Sequence, residues 1–174
     1  YALSKKLLKE AGYDGTPIVV LQSTDLDVLN NLGPKAAQHL RRGVFKVDLQ
    51  AMDWQTLVAR RAKKDKPADG GWNVFMTSWT GADILNPILA AGFNAGGAEK
   101  GWFGWPDDAK MEALRDQFAK ETDPAKQKAI AEAIQVRAME VVTNGHGGQW
   151  TKPAAWSTDL SNVIGGLFPI FWNL

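Results

Sequence analysis

A run of six residues, Pro17 to Gln22 (PIVVLQ), constrains the fold of this chain more than any other stretch. Asp14-Gly15 supplies a turn ahead of it, and Ser23, Thr24 and Asp25 offer helix N-cap oxygens behind it. A short, β-branched, nearly continuous apolar run between such signals fits a strand covered on both faces, hence a central strand. Helical spacing follows at Leu26, Leu29, Ala36, Ala37 and Leu40; Gly33-Pro34 is expected to kink or divide that helix and Gly43 to close it. Phe45, Val47 and Leu49 then alternate with Lys46, Asp48 and Gln50, as in a second strand with one wetter face. These elements make a β-α-β unit.

Ahead of this unit, Leu3, Leu7, Leu8 and Ala11 share a helical face with Lys5, Lys6, Lys9 and Glu10 turned outward, and Gly12 is expected to end the helix. A chain opening at Tyr1 inside a helical pattern reads as a piece of a longer protein. After the unit, Asp53 caps a helix with Leu57, Val58 and Ala62 inward, which dissolves into a surface loop at Lys63-Lys64-Asp65-Lys66-Pro67. Trp72 to Trp79 reads as a third strand, and 80–104 as a long glycine-rich loop around a short apolar turn at Ile88 to Ala91. Helices starting at Pro106-Asp107 (Met111, Leu114, Phe118) and Asp123-Pro124 (Ile130, Ile134, Ala138, Val141) should pack as a hairpin. Short apolar runs from Gln149 to Leu174 suggest strands or a pairing tail. The expectation is one α/β domain over 1–174, a mixed sheet of about four or five strands flanked by helices.

Composition narrows the function. Twenty basic against nineteen acidic residues leave a charge of +1, with no global field to recruit a nucleic acid. The absence of cysteine removes thiolate metal sites and cysteine nucleophiles. His39 and His146 stand alone, without metal-ligand spacing, and no nucleophile elbow, P-loop or dinucleotide fingerprint is present. No catalytic residue, metal site or cofactor is therefore expected. Asp107-Asp108 and Asp25 with Asp27 fall at helix starts, where carboxylates cap first turns. The basic run from Arg60 to Lys66 trails off a helix C-terminus and lacks interleaved aromatics, as a solvated face would.

Tryptophan is the unusual feature: Trp54, Trp72, Trp79, Trp102, Trp105, Trp150, Trp156 and Trp172, eight in 174 residues. Large rings that still need a partner for the indole N–H suit ligand clefts and interfaces. Together they favour a recognition surface.

The order LLKEAGYDG, an apolar strand, a helix ending near Arg42-Gly43, VDLQAMDWQTL and WNVFMTSWTGADILNP resembles the C-terminal part of the extracellular solute-binding proteins of dipeptide, oligopeptide and nickel ABC importers. The segment WFGWPDDAKMEALRDQFAKETDPAKQKAI is similar to the family's helical pair. The resemblance implies a two-lobed periplasmic-binding-protein-like fold closing on a ligand at the lobe interface, with this chain as the C-terminal lobe. The final ~20 residues would return towards the missing lobe. It further implies a non-enzymatic substrate-binding component that captures a small solute, a peptide in the first instance, and delivers it to ABC permease subunits. The location implied is the periplasm, or an extracytoplasmic, membrane-associated one in a Gram-positive source. In the family a Trp-x-x-Asp segment lies at the cleft and its Asp holds the free amino group of a bound peptide. Counting back from Pro87, that Asp matches Asp83 and the Trp matches Trp79, with Thr80, Gly81 and Ala82 between them, one residue more than the common spacing. Trp79, Thr80, Gly81, Ala82 and Asp83 are thus the implied ligand-binding residues; a cap for the following short helix is the other role open to Asp83.

Two further readings stand beside this one. A flavodoxin-like enzyme would place its site at the carboxyl ends of the strands, near Ser23-Thr24, Asp53 and Asp83. A tryptophan-rich interaction domain would use the rings as an interface.

Overall fold

A computed structural model describes residues 1–166. Strand β1 (Ile18–Ser23) runs between β2 (Val47–Met52) and β3 (Val74–Phe75), and both pairings are parallel. Helices α2 (Asp27–Arg42) and α3 (Trp54–Arg61) make the crossovers. Crossovers of this kind return the chain in the same direction, which is why the sheet is parallel instead of mixed and, among the described residues, has three strands. PIVVLQ occupies the centre as its composition requires: Val20, Leu21 and Ser23 are wholly buried.

The third strand is much shorter than Trp72 to Trp79. Its ladder opens through a side chain, with Val19 N donating to Asn73 Oδ1 at 2.9 Å and Asn73 N to Val19 O at 3.0 Å. Beyond Phe75 the chain leaves the sheet edge, and its aromatic residues pack on one another instead of on a neighbouring strand.

Helix α2 runs through Pro34 without being divided. A proline at that position cannot donate to the carbonyl four residues back, here Asn30. That carbonyl is met from the sheet: Gln22 Nε2 donates to Asn30 O at 3.1 Å and to Asn30 Oδ1 at 2.7 Å. Gly33 permits the approach, since a Cβ there would lie 2.7 Å from Gln22 Cγ. The Gly-Pro pair is therefore a docking point for β1, not a break. At the end of α2, Gly43 keeps a right-handed φ of −75° and Val44 takes the left-handed turn at φ 69°. Gly43 is instead required by α1 (Ala2–Glu10), whose Ser4 Oγ donates to its carbonyl at 3.2 Å.

Helix α1 ends as expected, Gly12 at φ +69° with Tyr13 N bonding Leu8 O at 3.0 Å. Its apolar face is another matter: Leu3 and Leu7 are exposed and only Leu8 is half-buried. Helix α3 is capped by Asp53, which accepts from Thr56 N at 3.0 Å and Thr56 Oγ1 at 2.6 Å. From Thr80 onwards come α4 (Gly81–Ile84) and α5 (Gly97–Lys100), then the pair α6 (Ala109–Lys120) and α7 (Pro124–Val141). Asp108 and Asp123 cap the two long helices. Met111 and Phe118 meet Ile134 and Ala138 in a core cluster, separate from the sheet cluster of Val19, Leu21 and Leu57. Arg137 on α7 clamps the start of α6 by pairing with Asp108, Nε to Oδ1 at 3.1 Å with a second bond from Nη2 to Oδ2. Part of the expected C-terminal tail, 167–174 with Trp172, lies outside the described residues; 149–166 forms none of the named strands.

Candidate ligand-binding site

The carboxyl edge of the sheet carries the polar residues that a ligand would meet, but most are already engaged. Ser23 Oγ donates to Asp25 Oδ1 at 2.8 Å, and the same oxygen accepts from Trp54 N at 2.8 Å, tying the end of β1 to the start of α3. Asp53 is committed to Thr56, whose hydroxyl and amide hold its carboxyl below the ordinary carboxylate range. Among the described residues no group of histidines and carboxylates has the geometry of a metal site. Ser23, Asp25 and Asp53 are thus spent on local structure.

The exit from β3 is different. Trp79 is 41% exposed and packs against Trp102 with ring centroids 5.3 Å apart. Thr80 precedes α4; its Oγ1 donates to Asp83 Oδ2 at 2.7 Å and its carbonyl accepts from Asp83 N at 3.1 Å. Gly81, Ala82 and Asp83 are exposed. Asp83 therefore lies within the first turn of α4, not ahead of a helix starting at Ile84, and it leaves Oδ1 without a hydrogen bond from any described residue. Trp79 stands just ahead of Thr80, the residue before α4, and Asp83 follows in the first turn of that helix.

Sequence reasoning missed the wall behind that segment. Phe75 stands edge-on to Trp72 at 5.0 Å and lies 5.5 Å from Trp102 and 6.4 Å from Phe103, and Trp72 reaches Trp105 at 6.0 Å. The spacing of WFGW, four residues of which three are aromatic, was the available signal. Also missed were two arginines in a run expected to be solvated. Arg60 Nε and Nη2 donate to the carbonyls of Gly70 and Gly71, each at 3.2 Å. Arg61 lies among rings, 4.4 Å from the centre of Phe103, 5.5 Å from Trp54 and 5.7 Å from Phe75. Burial pushes its pKa down from the ordinary guanidinium value.

The long segment after Trp79 is held to the helical pair. Ala95 N donates to Glu112 Oε1 at 2.8 Å, and Arg115, itself paired to Glu112, donates through Nη2 to Ile88 O at 3.3 Å. Ala95 is buried in the α6/α7 core, whereas Ile84, Leu85 and Leu89, which follow Asp83 in the chain, are exposed.

No protein-family model matches the chain. It is 35% identical over 171 residues, 98% of its length, to the probable peptide ABC transporter periplasmic-binding protein y4tO of Sinorhizobium fredii, of which it spans 32%. Its fold matches the ABC transporter substrate-binding protein CtaP of Listeria monocytogenes with a TM-score of 0.66 at 18% identity, covering 82% of this chain and 28% of that one. It likewise matches the murein tripeptide-binding protein MppA in its unliganded open form, TM-score 0.64 at 21% identity, covering 82% and 27%. The oligopeptide-binding protein AppA of Bacillus subtilis, in complex with a nonapeptide, gives a TM-score of 0.57 at 16% identity, covering 80% and 29%. The resemblance to solute-binding proteins of the peptide class and the periplasmic-binding-protein-like α/β fold are both borne out, and the chain spans about a third of the relative's length. Among the described residues no helix is long and apolar enough to cross a membrane.

Proposed function

We propose that this chain is the C-terminal lobe of a substrate-binding component of an ABC importer, which captures a peptide outside the cytoplasmic membrane and hands it to the permease. The observation that carries the reading is Asp83 four residues after Trp79: an exposed carboxylate with one oxygen bonded to Thr80 and the other open, on the segment that also carries a half-exposed ring after β3. An ammonium group from a peptide N-terminus would meet that oxygen, and closure of a second lobe would remove both from water. Desolvation strengthens such a pair and makes an uncharged competitor costly. The exposed Ile84, Leu85 and Leu89 offer apolar surface to the ligand or to the closing lobe. The reading contains no catalytic step, which accords with the commitment of Ser23, Asp25 and Asp53 to local bonds.

The test is calorimetric titration of a parent protein carrying both lobes with tripeptides and their N-acetylated counterparts. Acetylation and Asp83→Asn should each weaken binding by roughly tenfold to a hundredfold, the scale of a hydrogen bond to a charged group. Equal affinity for free and acetylated peptides would remove Asp83 from the role and the peptide reading with it.

A further inference from the structure

We propose that Arg61 is the anion-binding element of a carboxylate subsite, walled by Trp54, Phe75 and Phe103, in which a carboxylate of the bound ligand supplies the partner that the described chain does not.

Arg61 is the last residue of α3, yet its guanidinium is folded in among three rings at 4.4 to 5.7 Å instead of extending into water. Its Nε is sealed from solvent and has no hydrogen-bond partner among the described residues. Neither terminal nitrogen donates to a described atom, and no described carboxylate lies within ion-pair distance; the ion pairs formed by arginines are those of Arg115 and Arg137. Its neighbour shows what the fold does when an arginine is structural, because Arg60 spends two nitrogens on the carbonyls of Gly70 and Gly71.

Ring faces attract a cation but do not replace in-line acceptors for five N–H groups. A partly desolvated guanidinium with no acceptor in the described chain is less favourable than one paired with an anion. The planar guanidinium offers parallel N–H pairs that fit the two oxygens of a carboxylate, and flat aromatic walls admit a planar group more readily than a tetrahedral one. The subsite is continuous with the Trp79–Asp83 segment, since Phe75 and Phe103 both contact Trp102, which contacts Trp79. A ligand bearing an amine and a carboxylate would find a complement for each on one aromatic surface. That the carboxylate belongs to a peptide rests on the function proposed above; that the subsite takes a carboxylate does not.

The first experiment titrates the wild-type chain and uses a variant for assignment alone. The Nε–Hε resonance of Arg61, assigned by its loss in Arg61→Lys, is followed by NMR while sodium propionate, propionamide or sodium chloride is added at constant ionic strength. Propionate should shift it saturably, and propionamide and chloride should not; equal responses, or none, overturn the subsite. The second compares a tripeptide with its C-terminal amide on the parent protein carrying both lobes. The free acid should bind roughly tenfold tighter, and the ratio should fall to about one in Arg61→Met, whose apolar chain fills the same slot, with Arg61→Lys in between. A propionate response without any acid-over-amide preference overturns the assignment to the ligand and leaves the peptide reading standing. A propionate response in a protein that binds no peptide upholds the subsite and removes the peptide reading alone.

Discussion

The passage of α2 through Pro34 depends on a side chain from the sheet, and that dependence can be measured. Gln22, 8% exposed, donates to both Asn30 O and Asn30 Oδ1, and the first of these is the carbonyl that Pro34 leaves without its helical N–H. Gln22→Met keeps the shape of the side chain and removes both bonds. Asn30 is half-buried, so the loss should cost about 1–2 kcal/mol, within the range for a polar group left partly unsatisfied. Pro34→Ala restores an N–H to the helix ladder and removes a residue that costs up to ~3 kcal/mol in a helix interior; because α2 already accommodates the ring, a gain of about 1 kcal/mol is expected. The informative quantity is the coupling. In Pro34→Ala the helix itself supplies a donor for Asn30 O, so Gln22→Met should then cost about half as much, the remainder reflecting the bond to Asn30 Oδ1. Urea unfolding of the wild type, both single variants and the double variant, followed by helical circular dichroism, gives all four free energies. Costs that add to within ~0.3 kcal/mol, as they do for independent sites, would refute the claim that Gln22 completes the helix at Pro34.

Leu57→Ala, which empties a wholly buried position facing Val19 and Leu21, should destabilise by about 3 kcal/mol in the same urea assay, and a loss below ~1 kcal/mol would mean that the neighbouring rings collapse into the space. Gly33→Ala should lose about 1–3 kcal/mol because its Cβ would meet Gln22 Cγ at 2.7 Å, whereas Gly81→Ala, with nothing within 4 Å, should be neutral or slightly stabilising; a reversed order of melting temperatures would contradict this packing. Asp108 has its carboxyl held below the ordinary value by the Arg137 guanidinium and the Met111 amide, so its contribution is present above the unfolded-state pKa and lost as the pH falls through the folded one. Asp108→Asn should therefore lower the melting temperature at pH 7 and flatten its decline towards pH 2, while curves that stay parallel would show that the pair is not linked to folding.

Features with local causes were legible in the sequence. PIVVLQ could only be a covered strand, the Asp53, Asp108 and Asp123 caps follow from side chains that reach amides two or three residues on, and the α6/α7 faces follow from helical spacing. Features set by distant partners were not. Gly33-Pro34 looked like a break because the donor that repairs it sits on β1; Gly43 closes α2 as expected, but its contact with Ser4 on another helix was not legible. Arg60 and Arg61 looked solvated in a basic run; what turns them inward is the pair of carbonyls at Gly70 and Gly71 and the rings of Phe75 and Phe103, which periodicity does not connect to α3. At the site, Trp79 and Asp83 were legible because they are four residues apart, and Trp102 was not paired with Trp79 because a long segment separates them.

The three strand exits explain why recognition would concentrate at one of them. After β1 and after β2 the chain turns into a crossover helix within a few residues, and the carboxylates of both turns are spent on the start of α3: Asp25 takes Trp54 N and Asp53 takes Thr56 N. A carboxylate that caps a helix start cannot leave to meet a ligand without costing about 1 kcal/mol of stability. After β3 no long helix follows directly. The segment is instead anchored further along, through Ala95 and the Ile88 carbonyl to α6, so its beginning is relieved of structural duty. There the chain leaves Trp79 half-exposed and one oxygen of Asp83 open, backed by a wall of rings with an unpaired guanidinium. The division of labour follows from connectivity: two carboxyl ends close the fold, and the third, released by its longer connection, is the one left with polar atoms to offer a ligand.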